Sequence, residues 1–335
     1  MKTFTNRVPY KEFLSIVPHP VIIESLTNKY PVVIEKVEGI AKSRHTLGKI
    51  IPKLQHVQMK EYGYHTGLLK NENLVHTHVN PLVDQVTAPS KHEEEKYPET
   101  YRKHAWPQVE GYQEAVRDIF GVIQQCAHVM AGHLDGHVIK TLKPDASKYQ
   151  SLVQMTKESQ MTTARSFYYR ERRASEDGNK PSFNFHYDRM NMSACIKDFF
   201  YLNGQEIEQP DGAGLIFNTK NKERYQLRLK EDEVGFHIGM TYHILSAGII
   251  PAHAHAVYLP NTEGLSRASQ AFFFSPSPHI EITPPVQFDN IASSLPEDEG
   301  VVPKHIGLTN WQPGMKYTDW NEAIVRGFKK VFFNE

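Results

Sequence analysis

Phe183-Asn184-Phe185-His186-Tyr187-Asp188-Arg189-Met190-Asn191-Met192-Ser193-Ala194-Cys195-Ile196 contains two short runs of aromatic and small apolar residues, 183–187 and 192–196, parted by a polar break. Runs of this length and composition read as β-strands. His186 and Asp188 are two residues apart. In a strand, residues i and i+2 project from one face, so this imidazole and this carboxylate can reach a single ion without a special loop.

Downstream and upstream of this stretch the same texture recurs. Short runs at 165–169, 214–217, 225–229, 234–238, 241–246, 253–259 and 270–274 are separated by turn formers such as Asn203-Gly204, Pro210-Asp211-Gly212 and Asn261-Thr262-Glu263-Gly264. Many short strands at this spacing predict a double-sheet jelly roll, a barrel whose mouth can seat a metal and a ligand. Ahead of it, Tyr112, Ala115, Val116, Ile119, Phe120, Ile123, Ala127 and Met130 recur at three- and four-residue spacing. That pattern predicts a scaffold helix over about 110–134, with Gly132 and Gly136 bracketing its stop near Leu134-Asp135. A second helical pattern covers 318–332 with Thr318 as its N-cap. Residues 10–16 read as helix and 31–35 as strand. The expected organisation is a mixed α/β region over 1–150, the β core over 151–285 and a C-terminal loop and helix over 286–335, in one compact unit. The fold class is therefore mainly β with flanking α-helices.

Composition narrows the function. The 335 residues carry 38 Lys+Arg against 38 Asp+Glu, a net charge of zero, so the basic surface that nucleic acid demands is not expected. A small-molecule substrate is the simpler partner. Charges at Arg7, Lys11 and Glu12 interrupt the first twenty residues, so no secretory signal is expected, and no apolar run suggests a membrane span. Two cysteines, Cys126 and Cys195, are too few for a disulfide framework. A reducing, cytoplasmic setting follows as the expectation, and it would keep iron ferrous. Oligomeric state is not legible.

A third metal ligand must come from another strand, where His253 and His255 are candidates two residues apart. Two imidazoles and one carboxylate leave coordination positions open, the arrangement used for non-haem Fe(II) and O₂ chemistry. Arg267-Ala268-Ser269 adds a guanidinium beside a hydroxyl, which together can hold a carboxylate at a set distance from the metal. Phe183 and Phe185 are out of phase with His186, and Phe272 and Phe274 out of phase with Arg267, so regular strands would turn all four away from the metal. Arg189 and Asn191 would likewise face away from the ligands, at the rim.

With these residues the chain resembles the isopenicillin N synthase-like branch of the Fe(II)/2-oxoglutarate-dependent oxygenases. The likeness runs from His186-Tyr187-Asp188 through Gly212-Ala213-Gly214-Leu215-Ile216, His237-Ile238-Gly239, Ser246-Ala247-Gly248 and His255-Ala256-Val257. It ends with Ser266-Arg267-Ala268-Ser269 and Phe273-Phe274-Ser275-Pro276, covering roughly 164–278; Trp106-Pro107, the following helix and Leu134-Asp135-Gly136 extend it to about half the chain. The resemblance implies a double-stranded β-helix core of the jelly-roll or cupin type. It implies His186, Asp188 and His255 as catalytic iron ligands, His255 being preferred to His253 by its spacing to Val257 and Arg267. Arg267 and Ser269 would grip the distal carboxylate of 2-oxoglutarate. Tyr168 or Tyr169 stands where the family has a tyrosine near the co-substrate, and Tyr169 is the candidate contact.

The family's reaction uses Fe(II), 2-oxoglutarate and O₂ to oxidise a C–H bond by hydroxylation, desaturation or ring closure, releasing succinate and CO₂. A natural product or amino-acid derivative is the substrate expected by that resemblance. Met240 and Ala256 depart from the family's Asp and Arg, and the first 80 residues match poorly, which bears on the substrate and leaves the ligands intact. The acid at Asp188 argues against halogenation. Three other readings stand beside this one: a jelly-roll binding protein without turnover, an oxidase of the same branch that does not use 2-oxoglutarate, and zinc-dependent hydrolysis on a cupin-like barrel. The segments 70–92, 175–180 and 287–300 read as motif-free loops that would shape the pocket.

Overall fold

The structure, a computed structural model, describes residues 2–3, 7–8, 32–57, 67–70, 74–101, 103–173, 181–218, 223–287 and 311–324. The helix expected over 10–16, the loop over 175–180 and nearly all of 287–300 lie outside them. Among the described residues, no helix is long and apolar enough to cross a membrane.

The strands in chain order are β1 (Lys2–Thr3), β2 (Arg7–Val8), β3 (Val33–Lys36), β4 (Gly67–Lys70), β5 (Leu74–His78), β6 (Thr162–Tyr169), β7 (Phe183–His186), β8 (Met192–Ile196) and β9 (Phe199–Leu202). They continue with β10 (Gln205–Ile207), β11 (Gly214–Asn218), β12 (Arg224–Gln226), β13 (Glu233–Ile238), β14 (His255–Tyr258), β15 (Leu265–Phe274), β16 (Glu281–Ile282) and β17 (Met315–Lys316). A large sheet runs β2-β3-β13-β8-β15-β6-β5-β4, with β9 on β15 and β10 on β9, and a smaller one runs β1-β12-β11-β14-β7. The two form the jelly-roll core that the run of short strands predicts.

Alternation along β15 sorts its side chains. Arg267 pairs with Tyr169 and Ser269 with Phe167, on the barrel side, while Ala268, Phe272 and Phe274 join Tyr168 in the core beneath the long helix. That helix, Tyr112–Leu142, packs the Phe120 ring 5.9 Å from both Phe272 and Phe274. The expected outward turn of those two phenylalanines is therefore what the fold has.

The helix does not stop at 134. It runs through Gly132 and Gly136 to Leu142 and ends where Lys143 adopts a left-handed conformation. Continuation over this last stretch places Asp135 where its carboxylate accepts from Leu152 N at 2.7 Å, Val153 N at 3.1 Å, Ser151 Oγ and the Tyr149 hydroxyl. One carboxylate thus caps the next helix, Leu152–Glu158, and offsets what two helical glycines cost.

Three other expectations change. Residues 241–245 belong to a helix, Met240–Leu245, and Ser246 caps its C-terminus; every side chain of the helix is buried, so no polar, exposed face gives a period to tell helix from strand. The segment 70–92 is not one loop, since it contains β5. The C-terminal helix begins at 317, and the Thr318 hydroxyl donates to the Pro278 carbonyl at 2.6 Å instead of capping its own helix; it is described to 324. Cys126 and Cys195 are both buried and free.

Candidate metal centre

The barrel mouth collects the end of β7, the start of β8, the end of β13 and the start of β14. His186 closes β7 and His255 opens β14, directly opposite one another in register. Asp188 follows β7 in a turn held from below, with Met240 N donating to the Asp188 carbonyl at 2.7 Å and Gly239 N to the Asn191 carbonyl at 3.0 Å. Gly239 is required there, because a β-carbon would run into the Met190 carbonyl. The helix after Gly239 completes the strap, with the Thr241 hydroxyl donating to the Arg189 carbonyl at 2.6 Å.

His186, Asp188 and His255 thereby converge, each offering one ligand atom, all within 4.8 Å of one another. His186 Nε2 lies 3.7 Å from Asp188 Oδ1, and His255 Nε2 lies 3.9 Å from Asp188 Oδ2. Ligand bonds of about 2.0–2.2 Å need donors roughly 3 Å apart, so a small inward motion suffices to close the set on an ion. The Nδ1 atom of His186 is 2.9 Å from the Asn184 carbonyl, a contact that leaves the proton on Nδ1 and the Nε2 lone pair facing the centre. His253 lies outside β14 and outside the triad; its carbonyl is 3.5 Å from His255 Nδ1.

The electrostatics suit a cation. Burial holds His255 well below its ordinary value, with neighbouring His186 adding to the effect, and burial likewise lowers His186, so both rings are neutral and able to ligate. Burial alone would raise Asp188. The neighbouring imidazoles of His255, His237 and His186 and a hydrogen bond from His237 outweigh it and hold the carboxyl well below its ordinary range.

His237 is the residue the sequence reading passed over. It stands on β13, where the resemblance saw only a turn motif, and its Nε2 is 2.9 Å from Asp188 Oδ2, which also accepts from Ser193 Oγ at 2.5 Å. Both partners lie on one oxygen, which leaves Oδ1 to face an ion. The legible signal was register: His237 pairs with Ser193 and shares its barrel-facing side.

Phe183 also departs from expectation. The register between β14 and β7 shifts between His255 and Val257, so one extra β7 residue bulges and the phase flips. Phe183 consequently packs edge-on to His186 with centroids 4.7 Å apart, and it is 38% exposed at the mouth. Phe185 is buried in the core as expected.

Deeper in the barrel, Arg267 is 2% exposed, and its Nε donates to Asp198 Oδ2 at 2.8 Å. The guanidinium carbon lies 5.1 Å from the Tyr169 ring centroid, a cation–π contact. Tyr169, not Tyr168, shares its face. Burial opposes the charge on Arg267, but Asp198 and Tyr169 more than offset it; burial pushes the Asp198 carboxyl up, and Arg267 draws it only partly back.

No family model matches the sequence, and no curated protein matches it. Solved structures do match the fold. A protein from Caulobacter crescentus assigned to the 2OG-Fe(II) oxygenase family aligns over 98% of this chain and 100% of its own, at 11% identity and a TM-score of 0.63. A full-length protein of Neurospora crassa, solved in complex with alpha-KG (2-oxoglutarate), aligns over 96% of this chain and 94% of its own, at 12% identity and TM-score 0.62. A dioxygenase for auxin oxidation from Arabidopsis thaliana, solved with 2-oxoglutarate, covers 82% of this chain and 93% of its own, at 12% identity and TM-score 0.55. The chain has the fold of the 2OG-Fe(II) oxygenases.

Proposed function

We propose that the protein is an Fe(II)- and 2-oxoglutarate-dependent oxygenase that oxidises a C–H bond of a small molecule. The observation that carries this reading is the His186, Asp188 and His255 triad at the mouth of a jelly roll, two neutral imidazoles and one ionised carboxylate whose ligand atoms all lie within 4.8 Å of one another. Zinc hydrolysis would use the same donors, yet it gives no duty to a buried arginine deeper in the barrel.

In this reading the three triad residues hold Fe(II), and His237 with Ser193 fixes the Asp188 carboxylate so that Oδ1 points at the ion. Arg267 receives the distal carboxylate of 2-oxoglutarate, with Ser269 and Tyr169 on the same barrel face. Asp198 on Nε and the Tyr169 ring hold the guanidinium in one orientation, so little side-chain freedom is lost when the co-substrate arrives. When bound, iron with 2-oxoglutarate and O₂ supplies the oxidising power, releasing succinate and CO₂. The protein orients the substrate and keeps water out. The test is 2-oxoglutarate-dependent succinate formation by purified protein with Fe(II) in air, which should vanish in His255→Ala and persist in His253→Ala.

One observation favours a second reading, an oxidase of the same fold that does not use 2-oxoglutarate: Arg267 already has a carboxylate partner in Asp198. Oxygen consumption with no succinate would select it.

A further inference from the structure

The turn between β8 and β9 is held by an arginine on each side. On the barrel side, the Asp198 carboxylate accepts from Arg267 Nε at 2.8 Å. On the outer side stands Arg44, 154 residues before Asp198 in the chain, on the helix Ala41–Ile50 and only 3% exposed. Its Nε donates to the Lys197 carbonyl at 3.3 Å and its Nη2 to the Asp198 carbonyl at 3.4 Å, while the guanidinium carbon lies 4.2 Å from the centroid of the Phe199 ring. One side chain thus grips three consecutive residues. A planar fork of donors can hold two carbonyls and cover a ring at once, which a single ammonium cannot match.

The rest of the helix keeps that grip in place. Alternation along β9 puts Phe200, the partner of Arg267 in register, on one face and Phe199 and Tyr201 on the other, toward the helix. The Tyr201 hydroxyl donates to the Gly48 carbonyl at 2.6 Å, and a β-carbon on Gly48 would run into the Phe199 ring. Glycine therefore lets the helix lie directly on the strand. Toward the surface, Arg44 Nη1 lies 3.5 Å from Glu231 Oε1, so charges alternate from Glu231 through Arg44 and Asp198 to Arg267. The turn joins the two strands on which the candidate site depends: β8 carries Ser193, which donates to Asp188, and β9 pairs with the part of β15 that carries Arg267.

We propose that Arg44 is a positioning residue for the carboxylate site at Arg267, acting through the 197–199 turn and the Asp198 carboxylate. That this site takes the distal carboxylate of 2-oxoglutarate rests on the oxygenase reading; that Arg44 orients Arg267 does not. The Arg267 guanidinium keeps one direction while Asp198 stays within reach of Nε, and Arg44 fixes the Asp198 backbone. Preorganised donors bind an anion without first losing side-chain freedom, so loosening the turn weakens the site although Arg44 touches no ligand.

The test has two arms on the full-length protein. In metal-free protein, the Arg267 Nε–H resonance, identified by its loss in Arg267→Lys, should be protected from exchange in nitrogen–proton NMR spectra. Arg44→Ala should shift it and speed its exchange roughly tenfold, with Arg44→Lys in between. Ser43→Ala, which removes the same helix's bond to Asp118, should leave it as in the wild type. In anaerobic protein supplied with Fe(II), calorimetric titration with 2-oxoglutarate should show affinity roughly tenfold lower in Arg44→Ala, and little further loss when Arg44→Ala is added to Asp198→Asn. If Arg44→Ala does not fold, Arg44→Lys carries the same comparisons. A wild type without a protected resonance, a resonance indifferent to Arg44 or equally disturbed by Ser43→Ala, or losses that simply add in the double variant overturn the proposal. A resonance that depends on Arg44 in a protein that binds no 2-oxoglutarate upholds the positioning role and removes the 2-oxoglutarate reading.

Discussion

His237 makes the most direct demand at the scale of single residues, because it holds the Asp188 carboxylate of the candidate triad without being a candidate ligand itself. A partner of this kind typically carries about 10- to 100-fold of metal affinity. His237→Ala should therefore weaken Fe(II) binding by that factor while the circular dichroism spectrum stays unchanged; unaltered affinity would remove its role. Glu35 makes a different demand. It is fully buried with Oε2 unpartnered, 3.5 Å from Cys126 Sγ through Oε1, and burial pushes its carboxyl from the ordinary 4.5 up to about 8. The folded chain keeps a proton that the unfolded chain releases, so stability is full below about pH 4.5 and is lost as pH rises toward 8. Across that window the loss is on the order of a few kcal/mol, and urea midpoints of Glu35→Gln should lack this component of the slope. Asp198 offers a third. Its carboxyl is already raised by burial, and a second carboxylate at Arg267 would raise it further, so 2-oxoglutarate binding takes up a proton. Affinity should rise as pH falls, and Asp198→Asn should flatten the dependence in a calorimetric titration.

At the scale of elements, Asp135 joins the long helix to the one after it. Asp135→Ala removes acceptors for two backbone amides of the next helix and should cost about 2 kcal/mol in chemical denaturation, more than an exposed cap would. This contact also explains where reading the sequence fell short. Three- and four-residue spacing in Tyr112 to Met130 made the helix plain, but Gly132 and Gly136 looked like a stop, and only a tertiary contact 17 residues away overrides them. Met192–Ile196 was legible to the residue, being a short run between turn signals. Met240–Leu245 was not, since a wholly buried run has no polar face to give its period away. His186 and Asp188 were legible as a pair by their separation of two, although the strand ends at His186 and the turn after it, not a shared strand face, brings Asp188 alongside. The bulge that turns Phe183 toward His186, and the pairing of Arg267 with Asp198, both depend on which strands become neighbours. Spacing along one chain does not encode that.

For the whole molecule, the two sheets bring three candidate ligands from β7, the turn after it and β14 to one rim, with Arg267 buried deeper in the barrel. In the proposed function the triad holds Fe(II) with 2-oxoglutarate beside it. Its most direct test is an anaerobic titration of metal-free protein with Fe(II) and then 2-oxoglutarate, followed by visible absorption. A weak charge-transfer band is expected that requires both additions, disappears in His255→Ala, survives in His253→Ala and needs higher 2-oxoglutarate in Arg267→Ala. Bound iron that yields no band at any 2-oxoglutarate concentration would overturn the 2-oxoglutarate site at Arg267.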